Sequence, residues 1–157
     1  MSEWVLLLGG STGHGAATAK RLARDGFGII AFHFDRGDAK KIAEETIAEV
    51  SDMTKGNCHY FNTNAASEES MDKYIPKINE IIDGKPLKLL LHSIAFGTTT
   101  NFFGEKPVTQ RQMDMTVHVM GNSLLYWTQK LHQAKLLSRG SRIIGLTSEG
   151  NYLAMEG

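Results

Sequence analysis

A chain of 157 residues, 41% hydrophobic and 22% charged, has the size of one domain with an ordinary core, which argues against disorder and against a membrane-embedded protein. Seventeen basic residues balance seventeen acidic ones, so no global field draws in nucleic acid or an anionic membrane, and a charged ligand must be held locally. The single cysteine, Cys58, has no disulfide partner, and Met1-Ser2-Glu3-Trp4 lacks the basic region of a signal peptide or anchor; a reducing cytoplasm is the expected location.

The apolar run Val5 to Leu8 breaks into Gly9-Gly10-Ser11-Thr12-Gly13-His14-Gly15 and restarts at Ala16 as a helix-forming sequence, which predicts strand, turn and helix. Glycines at 9, 13 and 15 suit a tight turn, close approach of backbone to a pyrophosphate, and close helix-to-strand contact. The helix that follows would aim its first N–H groups at that anion. A flexible surface turn is the competing explanation, and the later strand ends decide between the two.

Helix is predicted from Ala16 to Arg24, with Gly26 as its stop before a strand from Gly28 to Phe34. Asp38 is expected to cap a second helix, in which Ile42, Ala43, Ile47 and Val50 recur at helical spacing opposite a charged, solvated face. Cys58 to Asn62 reads as a third strand, with Cys58 a buried thiol. Ser67 caps a third helix whose apolar stripe includes Met71, Ile75, Ile78 and Ile82; Pro76 within it predicts a kink or a division. Leu87 to His92 reads as a fourth strand, residues 109 to 137 as a long helical segment, and Ser141 to Ser148 as a fifth strand.

This alternation predicts one α/β domain over residues 1–157, a Rossmann-type doubly wound parallel sheet with strand order 3-2-1-4-5. Ligands of such sheets bind outside the carboxyl ends of the strands. Here those ends are Gly9 to Gly15, His33 to Arg36, Asn62 to Ala65, Ser93 to Gly97, and Thr147 with Ser148.

With these residues in place, the whole chain resembles the short-chain dehydrogenase/reductase superfamily, and most of all its enoyl-acyl-carrier-protein reductases. Leu91-His92-Ser93-Ile94-Ala95-Phe96 is similar to their His-Ser-Ile-Gly/Ala-Phe segment, and Leu146 to Gly157 to the segment after their fifth strand. The resemblance implies that Gly9, Ser11, Thr12, Gly13 and Gly15 hold the pyrophosphate and adenosine ribose of NAD(P)H, with Asn64 and Ala65 beside adenine. It places Ser93, Ile94 and Ala95 along the cofactor ribose, Thr147 near the nicotinamide, Phe96 at the acyl pocket, and Ser148 at or near the catalytic serine.

Several positions depart from the family pattern. Asparagine stands at 64 where aspartate is usual, and its carbonyl could still accept from the adenine amino group. Many enoyl reductases carry an aromatic residue at the position of Ser148, so a hydroxyl bonded to its own turn is the alternative there. His118 falls where many members have asparagine, which leaves a proton relay or a packed helix residue; core packing is expected of His92, and a solvent-facing side chain of His14.

The choice between NADH and NADPH stays open. Asp35 follows Gly15 by twenty residues and could accept from a ribose 2′-hydroxyl; a register through Leu22, Ala23 and Gly26 puts His33 in that slot and lets Arg36 pair with a 2′-phosphate.

The implied reaction is NAD(P)H-dependent reduction of a trans-2-enoyl-acyl-carrier-protein thioester in fatty acid synthesis. The family's catalytic tyrosine and lysine are expected beyond Gly157, and Tyr152 is too near Ser148 to take that role. The chain is therefore expected to be the N-terminal portion of a longer enzyme, a homotetramer or dimer, whose missing strands would otherwise leave the fifth as an exposed apolar edge. The alternatives are a reductase of a carbonyl such as a 3-oxoacyl thioester, and a non-catalytic dinucleotide-binding module. No metal site is expected.

Overall fold

A computed structural model of the chain describes residues 3–148. Five parallel strands form a single sheet: β1 (Trp4–Leu8), β2 (Gly28–His33), β3 (Cys58–Asn62), β4 (Leu89–His92) and β5 (Arg142–Gly145), in the order β3-β2-β1-β4-β5. The predicted topology is thus observed. Leu8 lies in register with Phe32 on one side and His92 on the other, and His33 with Asn62, so the carboxyl ends of the first four strands finish side by side.

The apolar runs of β1 and β2 are continuous because each faces two hydrophobic layers. Leu6, Leu8, Ile30 and Phe32 point to one layer, filled by α3 (Glu68–Ile82) and by Trp127 and Leu131 of α5 (Ser123–Gln133). Val5, Leu7, Ile29 and Ala31 point to the other, filled by Ala19 and Ala23 of α1 (Gly13–Arg24) and Val50 of α2 (Ala39–Thr54). The ring of Phe32 meets Phe61, Tyr74 and Trp127 at centroid separations of 5.0–5.3 Å, within the range where aromatic pairs add to burial.

Several expectations are corrected. Pro76 does not divide α3, which runs unbroken; Pro76 is exposed, so the N–H it lacks would have bonded on the water side while Met71, Ile75, Ile78 and Ile82 stay buried. Asp38 occupies the N-cap position of α2 but has helical dihedrals, and its side chain makes no cap bond. Ser67, by contrast, accepts from the Ser70 N–H as expected. Cys58 opens β3 half-buried, a free thiol.

The fourth correction concerns residues 109–137, predicted as one long helix. They form α4 (Gln110–Val117), a π-helical turn (His118–Asn122) and α5. A capping box on Thr109 starts α4, none of whose residues is buried. Strand β5 is shorter than expected and exposed along its length, with Ile143 and Ile144 at 45% and 44%.

Candidate functional site

The chain leaves β1 through Gly9, whose N–H and that of Gly10 both donate to the Phe32 carbonyl at the end of β2, at 2.9 and 3.0 Å. Gly9 has φ +90°, and a Cβ there would lie 2.3 Å from the Ser93 carbonyl oxygen. A Cβ on Gly15 would lie 1.7 Å from the Gly9 carbonyl oxygen. Two strand ends and the first turn of α1 therefore meet at backbone contact, which no side chain would permit. Thr12 is the N-cap of α1 and makes no side-chain cap bond, and the first turn carries no acidic residue. The first-turn N–H groups of α1 thus keep their capacity to hold an anion.

Outside the strand ends opens a cleft of about 440 Å³, within the ~300–1,000 Å³ usual for small-molecule sites. Gly9, Ser11 and Thr12 form one wall, Phe32 to Asp35 and Thr63 to Ala65 another, and Ser93 to Phe96 a third. Met115, His118 and Val119 close the far side. Of the residues singled out in the sequence, Gly9, Ser11, Thr12, Asp35, Asn64, Ala65, Ser93, Ile94, Ala95 and Phe96 are brought together here.

Others are not part of the lining. Gly13 and Gly15 lie in the first turn of α1 behind the wall. Arg36 is exposed, its guanidinium stacked over the Phe34 ring at 4.5 Å. Thr147 and Ser148 are exposed just past β5, on the same sheet end. Residues 149–157, with Tyr152 and most of the post-strand segment, lie outside the described residues.

Asn64 Oδ1 accepts from the Ala66 N–H at 3.0 Å, so the carbonyl expected to face adenine already holds its own turn and keeps one lone pair for a ligand. His33 Nδ1 and Asp35 Oδ2 are 2.7 Å apart, so the two residues competing for the acidic slot are bonded to each other.

His92 is buried, as expected of a core residue, and it also makes a polar link. The Ser123 hydroxyl donates to the Val119 carbonyl at 2.7 Å, so it accepts from His92 Nε2 at 2.8 Å. Burial holds the His92 imidazole below its ordinary pKa. His14 is exposed.

His118 is half-buried and donates from Nε2 to the Ala66 carbonyl at 3.0 Å. Phe34 and Thr63 of the lining fall within the strand ends expected to face a ligand, and the lining residues that went unrecognised in the sequence are Met115 and Val119. Positions 115, 118 and 119 carry the signal in their spacing, which puts them on one face of a helix.

Uncapped helix N–H groups, glycines at backbone contact and a cleft bordered by small and polar residues fit a dinucleotide. Among the described residues, no group of three metal-ligating side chains occurs, and no helix is long and apolar enough to cross a membrane.

The solved structures similar to this chain include a short-chain dehydrogenase/reductase from Serratia marcescens BCRC 10948 (22% identity, TM-score 0.78) and a doubly substituted mutant of a Serratia marcescens short-chain dehydrogenase/reductase (22%, TM-score 0.80). Each is covered over 59% of its length by 99% of this chain. A putative carbonyl reductase, Sniffer, of Caenorhabditis elegans is 19% identical over 85% of this chain and 53% of its own, with TM-score 0.63. This chain therefore spans about three fifths of the Serratia structures, and at these identities the likeness is one of fold. No curated protein matches significantly. A family model described as short chain dehydrogenase matches residues 3–155, and the chain belongs to that family.

Proposed function

We propose that the cleft binds NAD(P)H and that the protein is a cytoplasmic reductase of trans-2-enoyl-acyl-carrier-protein thioesters. The observation that carries the cofactor half is the joining of Gly9, the uncapped start of α1 and the ends of β2, β3 and β4 around one cleft. The substrate half rests on His92-Ser93-Ile94-Ala95-Phe96, which leads from β4 along the cleft and ends at Phe96, 49% exposed at its border.

When bound, the dinucleotide supplies a hydride equivalent for the substrate β-carbon. Ser11, Thr12 and the first turn of α1 would receive the pyrophosphate, Asn64 and Ala65 would adjoin adenine, and Ser93 to Ala95 would orient the nicotinamide ribose. Phe96 would shield the acyl chain from water. Thr147 and Ser148 leave β5 on the side of the sheet where the nicotinamide would lie; the Ser148 hydroxyl is assigned to the substrate oxygen, where a donor stabilises developing negative charge.

The test is to supply the whole protein, carrying the tyrosine and lysine that the resemblance implies, with crotonyl and acetoacetyl thioesters and to follow NADH and NADPH absorbance. Oxidation with the enoyl thioester alone supports the proposal. Oxidation with the acetoacetyl thioester alone would reassign the protein to carbonyl reduction, and binding without turnover of either would make it a non-catalytic dinucleotide module.

A further inference from the structure

A buried polar bridge joins two walls of the cleft from behind. His92, the last residue of β4, is 3% exposed, and Ser123, the first of α5, is fully buried; neither lines the cleft. The wall that follows His92 is Ser93 to Phe96, and the wall just before Ser123 holds His118 and Val119. His92 Nε2 donates to the Ser123 hydroxyl at 2.8 Å, and that hydroxyl donates to the Val119 carbonyl at 2.7 Å. The backbone here is fixed as well: the His92 carbonyl accepts from the Leu146 N–H at 3.1 Å, and the Ser93 N–H donates to the Leu8 carbonyl at 2.8 Å. The strand end is thus anchored to a neighbour on each side, and the bridge reaches from it to the helix.

The bridge meets the helix where it departs from α geometry. The Ser123 N–H reaches the His118 carbonyl, five residues back, as a π turn requires. Its hydroxyl reaches the Val119 carbonyl, four residues back, which the N–H would take in a regular α-helix. A serine hydroxyl bonded in this way competes with the backbone for that carbonyl and loosens the turn. His92 completes the arrangement by donating to the hydroxyl in a place closed to water, where an unmatched oxygen is costly. Inside the turn, His118 Nε2 donates to the Ala66 carbonyl and so holds the loop of Asn64 and Ala65.

We propose that His92 and Ser123 are positioning residues of the cofactor cleft: they hold residues 118–122 as a π turn, and the turn presents His118 to Ala66. The proposal rests on the cleft being the NAD(P)H site. Neither residue touches the dinucleotide. His92 acts on Ser123, Ser123 on the turn, and the turn on the loop after β3. The end of β4 therefore sets the place of a loop from which β1 and β2 separate it in the sheet.

The experiment titrates the whole protein with NADH by calorimetry, as wild type, Ser123→Ala, His118→Ala and the double variant, and records backbone amide NMR of each without cofactor. Ser123→Ala removes one oxygen and little volume, and a thermal midpoint confirms that the variant folds. It weakens NADH binding about tenfold, as His118→Ala does, the loss associated with one hydrogen bond. The double variant is no weaker than the weaker single, because both changes act through one turn. A merely structural loosening would lower the thermal midpoint and leave the two effects on affinity additive. In the cofactor-free spectra, Ser123→Ala shifts the amides of residues 118–122 and, through His118, that of Ala66. His92→Gln keeps an N–H donor near the hydroxyl and retains most of the affinity, whereas His92→Leu loses as much as Ser123→Ala. Should His92→Leu fail to fold, Ser123→Ala still decides.

Additive losses in folded variants overturn the proposal, as does an affinity unmoved by Ser123→Ala or an Ala66 resonance that stays in place. Full affinity in a folded His92→Leu variant removes His92 from the unit and overturns it too. A wild type that binds neither NADH nor NADPH is a different failure: it overturns the cofactor reading, while the Ala66 shift decides the bridge separately.

Discussion

His118 Nε2 donates across 3.0 Å to the carbonyl oxygen of Ala66, 52 residues away in sequence, and so ties the π-helical turn to the loop that follows β3. Beside it, Trp127 Nε1 donates to the Ala65 carbonyl at 2.7 Å. The loop carrying Asn64 and Ala65, one wall of the cleft, is thus held from outside by the helical segment. Replacing His118 with Ala is expected to weaken NAD(P)H binding by about tenfold while folding is retained, because a half-buried acceptor regains water where a donor was lost. Calorimetric titration of the variant checks this.

The same relationship predicts a stability effect at Trp127. Its side chain is fully buried, so Trp127→Phe strands the Ala65 carbonyl without a donor and leaves space beside Phe32. A loss of about 1–3 kcal/mol from the hydrogen bond alone is expected, read as a lowered urea midpoint.

Gly15→Ala tests the backbone contact. The added Cβ would meet the Gly9 carbonyl at 1.7 Å, a clash with backbone that no rotamer relieves. Destabilisation of at least about 1–3 kcal/mol is expected, together with loss of NAD(P)H binding as the loop and the start of α1 are forced apart. Gly13→Ala meets open space, but at φ +54°, and is expected to be milder.

Tyr60 predicts the opposite sign. Its hydroxyl is buried with no hydrogen-bond partner among the described residues, and burial, with a smaller contribution from Cys58, raises its pKa. Tyr60→Phe removes the unsatisfied group while keeping the ring that packs against the α1–α2 layer. Stability is expected to stay level or to rise by up to about 1 kcal/mol.

Two histidines set a pH dependence. Burial lowers the pKa of His92, and burial, followed by the charge of Lys77, lowers that of His59, from an ordinary value of 6.5. Below that value the unfolded chain takes up protons that the folded one resists, so stability falls as pH drops. Urea midpoints measured from about pH 7.5 down to about pH 5 should decline, and His92→Gln should flatten part of the decline.

The strands were legible because apolar runs covered on both faces have few other uses, and the glycine spacing at 9, 13 and 15 marked the turn that brings three segments together. Pro76 misled because a proline on the exposed face of a helix costs less than its rule suggests when the buried stripe continues past it. The π-helical turn left no such trace. Its supports are the Ala66 carbonyl for His118 and His92 for Ser123, partners 52 and 31 residues away, which local periodicity cannot register. The His33–Asp35 bond was missed for a different reason: the two residues, only two apart, read as rivals for one position and not as partners.

The most direct test of the dinucleotide cleft is backbone amide NMR of the protein titrated with NADH and NADPH. Saturable shifts concentrated at Gly9 to Gly15, Asp35, Asn64 to Ala66 and Ser93 to Ala95 are the predicted result. A folded spectrum unmoved by millimolar cofactor, or shifts confined to residues away from these strand ends, would contradict it.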